Sequence, residues 1–179
     1  GLVKLGSIAD TLSQQKSTLE SAALDELGNA AYLSPFIKAM GLCQEIHDFL
    51  SEITNTQIIP YVRMHFLAAL NVGKPLGKKL VRRWHTDYQS LNLIIFLDDP
   101  STQVGGKLQL YKGTKEEAED FLKKNIPFPD DKIETIVPTN SGYAILIQGS
   151  LLTHSVTPLH ERDPIRRTLV LGFRSNDIV

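Results

Sequence analysis

The amino-acid sequence predicts an α+β fold in which N-terminal helices pack on one sheet of a β-sandwich or jelly roll. Three observations predict it. Helical spacing of apolar residues is confined to positions 1–55, the expected helical support. From 56 to 179 it gives way to about eight short strand-like runs, with turn signals every 8 to 12 residues or so. A chain of 179 residues, 42% apolar and 22% charged, suits a single domain spanning 1–179 with a substantial core.

The elements follow in order. Ser7 to Leu27 lacks proline and sets Ile8, Leu12, Leu19, Ala22, Ala23 and Leu27 at roughly helical spacing, with Gly28 and Asn29 as the stop. A second helix is expected from Ser34-Pro35 to about Ile53, with Ser34 as N-cap, Pro35 in the first turn, and Phe36, Met40, Cys43, Ile46, Phe49 and Leu50 as the buried stripe. His47 lies on that helix and reads as a polar-face residue, since no carboxylate or cysteine accompanies it at ligand spacing. Thr56 to Asn71 is rich in Ile, Val, Phe and Leu, and Leu80 to Tyr88 follows a Gly- and Pro-containing loop, so the two read as a hairpin. Leu91 to Leu97 is a nearly continuous apolar strand, and Lys107 to Tyr111 an alternating one opened by Gly105-Gly106. The segment 114–125 places acids first and lysines last, as the helix dipole favours, and reads as a short helical insertion. Lys132 to Val137, Tyr143 to Gln148, Thr153 to Pro158 and Arg166 to Phe173 complete the strands.

The formal net charge of −1 removes a general electrostatic argument for binding nucleic acid or an anionic membrane. The longest apolar runs are far too short to span a bilayer, and the opening residues do not read as a signal peptide. The single cysteine, Cys43, excludes an internal disulfide, reads as a small buried helix residue, and fits a reducing, cytoplasmic setting. Oligomeric state does not follow from these residues.

The stretch Trp84-His85-Thr86-Asp87 places an imidazole and a carboxylate two residues apart at the end of a β-like run, where i and i+2 share a face. His154, after another strand-like run, can add a third ligand, and two His with one carboxylate suit a non-haem Fe(II) ion that keeps positions open for substrate and oxygen. His160 reads as a solvated loop residue. Lys74, Lys78, Lys79, Arg82 and Arg83 crowd the segment before this stretch, either as a solvated turn or as an entrance that attracts a carboxylate-bearing substrate.

One ordered set of landmarks resembles the Fe(II)/2-oxoglutarate-dependent oxygenases, and within them the prolyl-hydroxylase-like branch. The set is Trp84-His85-Thr86-Asp87, Phe96-Leu97-Asp98-Asp99, Gly105-Gly106-Lys107-Leu108, Ser141-Gly142-Tyr143-Ala144, His154-Ser155-Val156-Thr157-Pro158 and Arg166-Arg167-Thr168. The likeness spans roughly Phe66 to Phe173; an HxD pair alone is weak, whereas the ordered set is specific. It implies a jelly roll of the double-stranded β-helix kind, with His85, Asp87 and His154 as metal ligands and catalytic centre. It further implies Fe(II), 2-oxoglutarate as co-substrate, O2, and ascorbate as an accessory reductant. The reaction implied is oxidation, chiefly hydroxylation, of an unactivated C–H bond in a small molecule or amino acid, with release of succinate and CO2. A carboxylate at Asp87 argues against halogenation, for which the family uses a small residue there.

By the same resemblance the distal carboxylate of 2-oxoglutarate needs a buried cationic fork, for which Arg suits better than Lys. Arg166 and Arg167 are the candidates, on opposite faces of one strand. Arg166 with Thr168 matches the family's Arg-x-Ser/Thr, whereas Arg167 shares its face with Leu169, Leu171 and Phe173 and suits packing against helices. Asn92, Ile94 and Phe96, Leu108 and Leu110, and Val156 after the second histidine are expected to line the co-substrate pocket. Many relatives carry Tyr at the position of Phe96, so a hydroxyl contact is missing there. Alternatives are peptidyl prolyl hydroxylation, a cupin-type metal dioxygenase, for which strand histidines are too few, and a binding module without catalysis.

Overall fold

In the computed structural model, residues 1–16, 24–61, 63–75 and 81–175 are described. Among these residues ten strands follow in chain order: β1 (Leu24–Leu27), β2 (Ile58–Pro60), β3 (Ala68–Gly73), β4 (Arg82–His85), β5 (Leu91–Phe96), β6 (Leu108–Tyr111), β7 (Ile133–Ile136), β8 (Ala144–Ile147), β9 (His154–Val156) and β10 (Arg166–Ser175). They form two antiparallel sheets. One runs β1-β3-β10-β5-β8 with β2 on the end of β10, and the other runs β4-β9-β6-β7.

The continuous apolar run of β5 has a physical reason: the strand is buried on both faces. Leu91, with Leu93 and Ile95, joins the core shared with the helices, while Ile94 and Phe96 join the core between the sheets. β10 is split in the same way. Leu169, Leu171 and Phe173 face the helical layer, and Val170 packs with Leu108, Ile147 and Val156 in the inter-sheet core.

Among the described residues, six α-helices accompany the strands: α1 (Leu2–Lys16), α2 (Ala30–Leu33), α3 (Pro35–Gly41), α4 (Gln44–Thr54), α5 (Met64–Leu67) and α6 (Lys115–Lys123). Leu5 and Ala9 of α1, Ala30 and Ala31 of α2, Ile37 of α3 and Leu50 of α4 pack on the outer face of the larger sheet; of the expected helical stripes Leu50 is buried, Ile8, Phe36, Met40 and Ile46 are half-buried against it, and Phe49 is exposed instead. Helix α6 carries a capping box, in which Thr114 accepts from the Glu117 amide while Glu117 accepts from the Thr114 amide. It sets Ala118 against Tyr111 and Phe128. Among the described residues, no helix is long and apolar enough to cross a membrane.

Several expectations are corrected. The helix expected over Ser7 to Leu27 starts earlier, at Leu2, and Leu24–Leu27 is a strand paired with β3; Leu19, Ala22 and Ala23 lie outside the described residues. The helix expected from Ser34 to Ile53 is two helices. Ser34 does cap α3 by accepting from the Ile37 amide, but Leu42 and Cys43 interrupt the run and Cys43 becomes the N-cap of α4. Thr56 to Asn71 is not one strand but β2, α5 and β3. Pro60, which cannot donate, sits where β2 flanks the end of β10. The expected hairpin is absent: β3 pairs with β1 and β10 in one sheet, whereas β4 pairs with β9 in the other. His47 is buried, not polar-faced. Its Nε2 bonds to the Gly41 carbonyl at 3.0 Å and its ring meets Phe173 edge-on.

Candidate metal centre

Strand β4 ends at His85, and its antiparallel register with β9 sets His85 directly opposite His154, with a register shift between Arg82 and His85. Asp87 lies just past the strand, fixed by its own amide, which donates to the Gly149 carbonyl at 2.7 Å. The three side chains converge. His85 Nε2 lies 3.3 Å from Asp87 Oδ1, His154 Nε2 lies 3.3 Å from Asp87 Oδ2, and the candidate ligand atoms are all within 4.8 Å of one another.

The protonation pattern follows from the backbone. His85 Nδ1 faces the Arg83 carbonyl at 2.7 Å and His154 Nδ1 faces the Leu152 carbonyl at 2.9 Å. A carbonyl can only accept, so each Nδ1 carries the proton and each Nε2 turns a lone pair toward Asp87. Arg82 Nε, 3.3 Å from His85 Nε2, donates to that lone pair. Burial raises the Asp87 pKa, but when His154 and His85 are protonated at Nε2 as well, their hydrogen bonds and positive charge outweigh it and hold the carboxyl well below the usual range. An ionised carboxylate and two imidazole lone pairs facing one another call for a cation between them. Neighbouring ligands on a six-coordinate ion at about 2.1 Å stand roughly 3 Å apart, so these spacings fit a metal such as Fe(II).

The surroundings hold the donors in place. Asn92 Nδ2 donates to Asp87 Oδ2 at 2.5 Å. Gly149 permits this approach, since a Cβ there would lie 2.6 Å from Asn92 Nδ2 and 2.8 Å from Asp87 Oδ2. Such outer partners orient metal ligands.

The triad opens into a cavity of about 330 Å³ between the sheets, lined also by Asn92, Ile94, Leu108, Val156, Arg166 and Thr168. Arg166 is buried, and its Nε has no hydrogen-bond partner. Burial pushes its pKa down to about 10, against a smaller upward pull from Asp98, so it stays cationic at neutral pH. Phe96 and Leu110 do not line the cavity. The Phe96 ring lies behind Arg166, with the guanidinium carbon 5.1 Å from its centroid. Arg167 points the other way, to Asp98 (Nη2 to Oδ1 2.5 Å), Asp10 (2.8 Å) and the Gly6 carbonyl, tying β10 to α1.

Sequence reasoning missed part of the lining. Asn71 and Ala69 on β3, Glu26 on β1, and His65, Phe66 and Tyr88 all border the cavity. The lone polar residue inside Ala68-Ala69-Leu70-Asn71-Val72 was a usable signal, but the expected hairpin concealed its sheet. Arg82 lines the cavity and forms an ion pair with Glu26, whereas Lys74 and Arg83 do not line it. Lys78 and Lys79 lie outside the described residues. His160 is exposed. Cys43 is partly buried, with its thiol donating to Glu45 at 3.0 Å.

No protein-family model matches this sequence, and no curated protein matches it. Solved structures do match in fold. AviO1 from Streptomyces viridochromogenes Tue57 aligns with a TM-score of 0.68 at 16% identity, covering 99% of this chain and 86% of that one. HygX from Streptomyces hygroscopicus, with nickel and 2-oxoglutarate bound, gives 0.68 at 10% identity over 99% and 79%. The epimerase SnoN, in complex with Fe3+, alpha ketoglutarate and nogalamycin RO, gives 0.65 at 11% identity over 97% and 73%. The chain thus has a mixed helix and antiparallel-sheet fold in common with non-haem, 2-oxoglutarate-binding proteins.

Proposed function

We propose that this protein is an Fe(II)/2-oxoglutarate-dependent dioxygenase that oxidises, most simply by hydroxylation, an unactivated C–H bond of a small molecule. What carries the reading is one juxtaposition: three converging metal donors and a buried, unpartnered guanidinium line the same cavity. The two facing sheets are then the double-stranded β-helix, and the order of motifs favours its prolyl-hydroxylase-like branch.

In this reading His85, Asp87 and His154 would hold the iron, and the cavity they open into would receive co-substrate and oxygen. Bound iron supplies the oxidative decarboxylation of 2-oxoglutarate and the oxidation of the substrate C–H bond. The chain's own residues do the rest. The carbonyls of Arg83 and Leu152 fix both imidazoles as Nε2 ligands, and Asn92 orients Asp87. Arg166 binds the distal carboxylate of 2-oxoglutarate, with the Thr168 hydroxyl beside it on the same face of β10. Ile94, Leu108 and Val156 supply an apolar wall that keeps bulk water from the reacting centre.

A small-molecule substrate is favoured over a peptide because the cavity is compact, and because HygX, of the same fold, is seen with hygromycin B bound. A reducing, cytoplasmic setting would keep the iron ferrous. The test is anaerobic addition of Fe(II) and then 2-oxoglutarate, followed by air. A visible charge-transfer band and succinate formation are expected; absence of both, with the protein folded, overturns the reading.

A further inference from the structure

The cavity has a closed end and an open one. Arg166, Thr168, Leu108 and Val156 are each at most 8% exposed, whereas Tyr88 is 64% exposed and Glu26 and His65 stand exposed at the mouth. At about 330 Å³ the cavity is near the lower limit for ligand pockets. On the reading proposed above, on which this inference rests, 2-oxoglutarate fills the Arg166 end. The remaining space admits only the reacting portion of a substrate, so its other portion lies across the mouth.

That mouth carries a prebuilt aromatic surface. The Phe66 and Tyr88 rings stack with centroids 4.9 Å apart at 15°, and Tyr61 meets Phe66 edge-on at 5.5 Å and Tyr88 at 6.2 Å. The surface is fastened to the metal centre and the sheet. Tyr88 follows Asp87 directly, and the Phe66 carbonyl sits so close to β10 that a Cβ at Gly172 would lie 2.0 Å from it. Gln89 Nε2 also donates to that carbonyl, at 3.4 Å. The outer member of this three-ring cluster, Tyr88, is largely in water and borders the cavity.

We propose that the Phe66–Tyr88 pair is a substrate ledge, which stacks a ring with a flat apolar face, and that the substrate is therefore a ring-bearing small molecule longer than the cavity. Aromatic rings and the C–H face of a sugar ring share this chemistry. Because the ledge is already ordered, stacking on it costs little conformational entropy.

The test uses the full chain loaded with Zn(II) and 2-oxoglutarate, with 2-naphthol, methyl β-D-glucopyranoside and 1,6-hexanediol as probes. Saturation-transfer NMR titrations give a Kd for each. Saturable binding of at least one ring probe is expected, with none for the diol. The naphthol and glucoside arms tell an aromatic from a sugar preference. Tyr88→Leu is expected to weaken ring binding about tenfold while Tyr88→Phe retains it. No saturable ring binding, or a Tyr88→Leu Kd equal to wild type, overturns the ledge. Metal titration of the same samples is the separate control: ring binding without metal binding would sink the oxygenase reading and leave the ledge standing.

Discussion

The His85 and His154 rings stand opposite each other across the β4–β9 pair, centroids 4.3 Å apart and tilted by 49°. This cross-strand relationship brings residues far apart in sequence into one candidate ligand set. Their orientation rests on groups outside that set.

Asn92 is the first such group. Asn92→Ala removes the donor to Asp87 Oδ2 and is expected to weaken Fe(II) or Co(II) affinity by about 10- to 100-fold without unfolding the protein. Isothermal titration with the metal, alongside a thermal melt, checks both halves of the statement.

Gly149→Ala probes the same contact from the other side. The added Cβ would press on Asn92 Nδ2 and Asp87 Oδ2, so metal affinity is expected to fall at least as far as in Asn92→Ala. Because both substitutions strike one contact, the double variant should lose less than the sum of the two.

The two arginines of β10 should respond in opposite ways. Arg166→Met removes a buried cation whose Nε lacks a partner, so the apo protein is expected to hold or gain about 1–3 kcal/mol of stability while 2-oxoglutarate binding is lost. Arg167→Met breaks the links to Asp98 and Asp10, and is expected to cost about 1–3 kcal/mol with 2-oxoglutarate affinity unchanged. Denaturant midpoints and co-substrate titrations of both variants decide the assignment.

Asp163 gives a pH signature. Its carboxylate accepts from the amides of Val104, Gly105 and His160 at 2.8 to 2.9 Å, joining two loops. Burial raises its pKa, but these hydrogen bonds prevail and the net shift is downward. A lowered folded-state pKa stabilises the fold above the ordinary value of 3.8, and that contribution is lost as pH falls through the folded value. Asp163→Asn is therefore expected to cost about 1.5–3 kcal/mol at neutral pH, with the gap to wild type closing below pH 3.8 in denaturant titrations.

The inner strands β5 and β10 were readable because burial on both faces wrote apolar runs into them, and β6 because Leu108 and Leu110 alternate into the core between the sheets. The ends of elements were not. Leu24–Leu27 carries the same apolar spacing as a helix and becomes a strand only through pairing with β3, a long-range fact no local pattern holds. The hairpin error has the same origin, since β3 and β4 are neighbours in sequence but belong to different sheets. The donors His85, Asp87 and His154 converge because register, rather than proximity in the chain, brings them together. Asn92 was expected to line the cavity and does, but its amide also donates to Asp87 five residues earlier, a contact that strand spacing does not reveal.

Arg166 and Arg167 look in opposite directions from adjacent positions, one into the cavity and one toward α1. Parity inside β10 therefore matters while the length of the loop before it does not. With β10 held in register by β3 and β5, one amino acid inserted between Arg166 and Arg167 would take the cavity-facing position and turn Arg166 to the opposite face, whereas one inserted in the loop before Arg166 would leave both guanidiniums where they are.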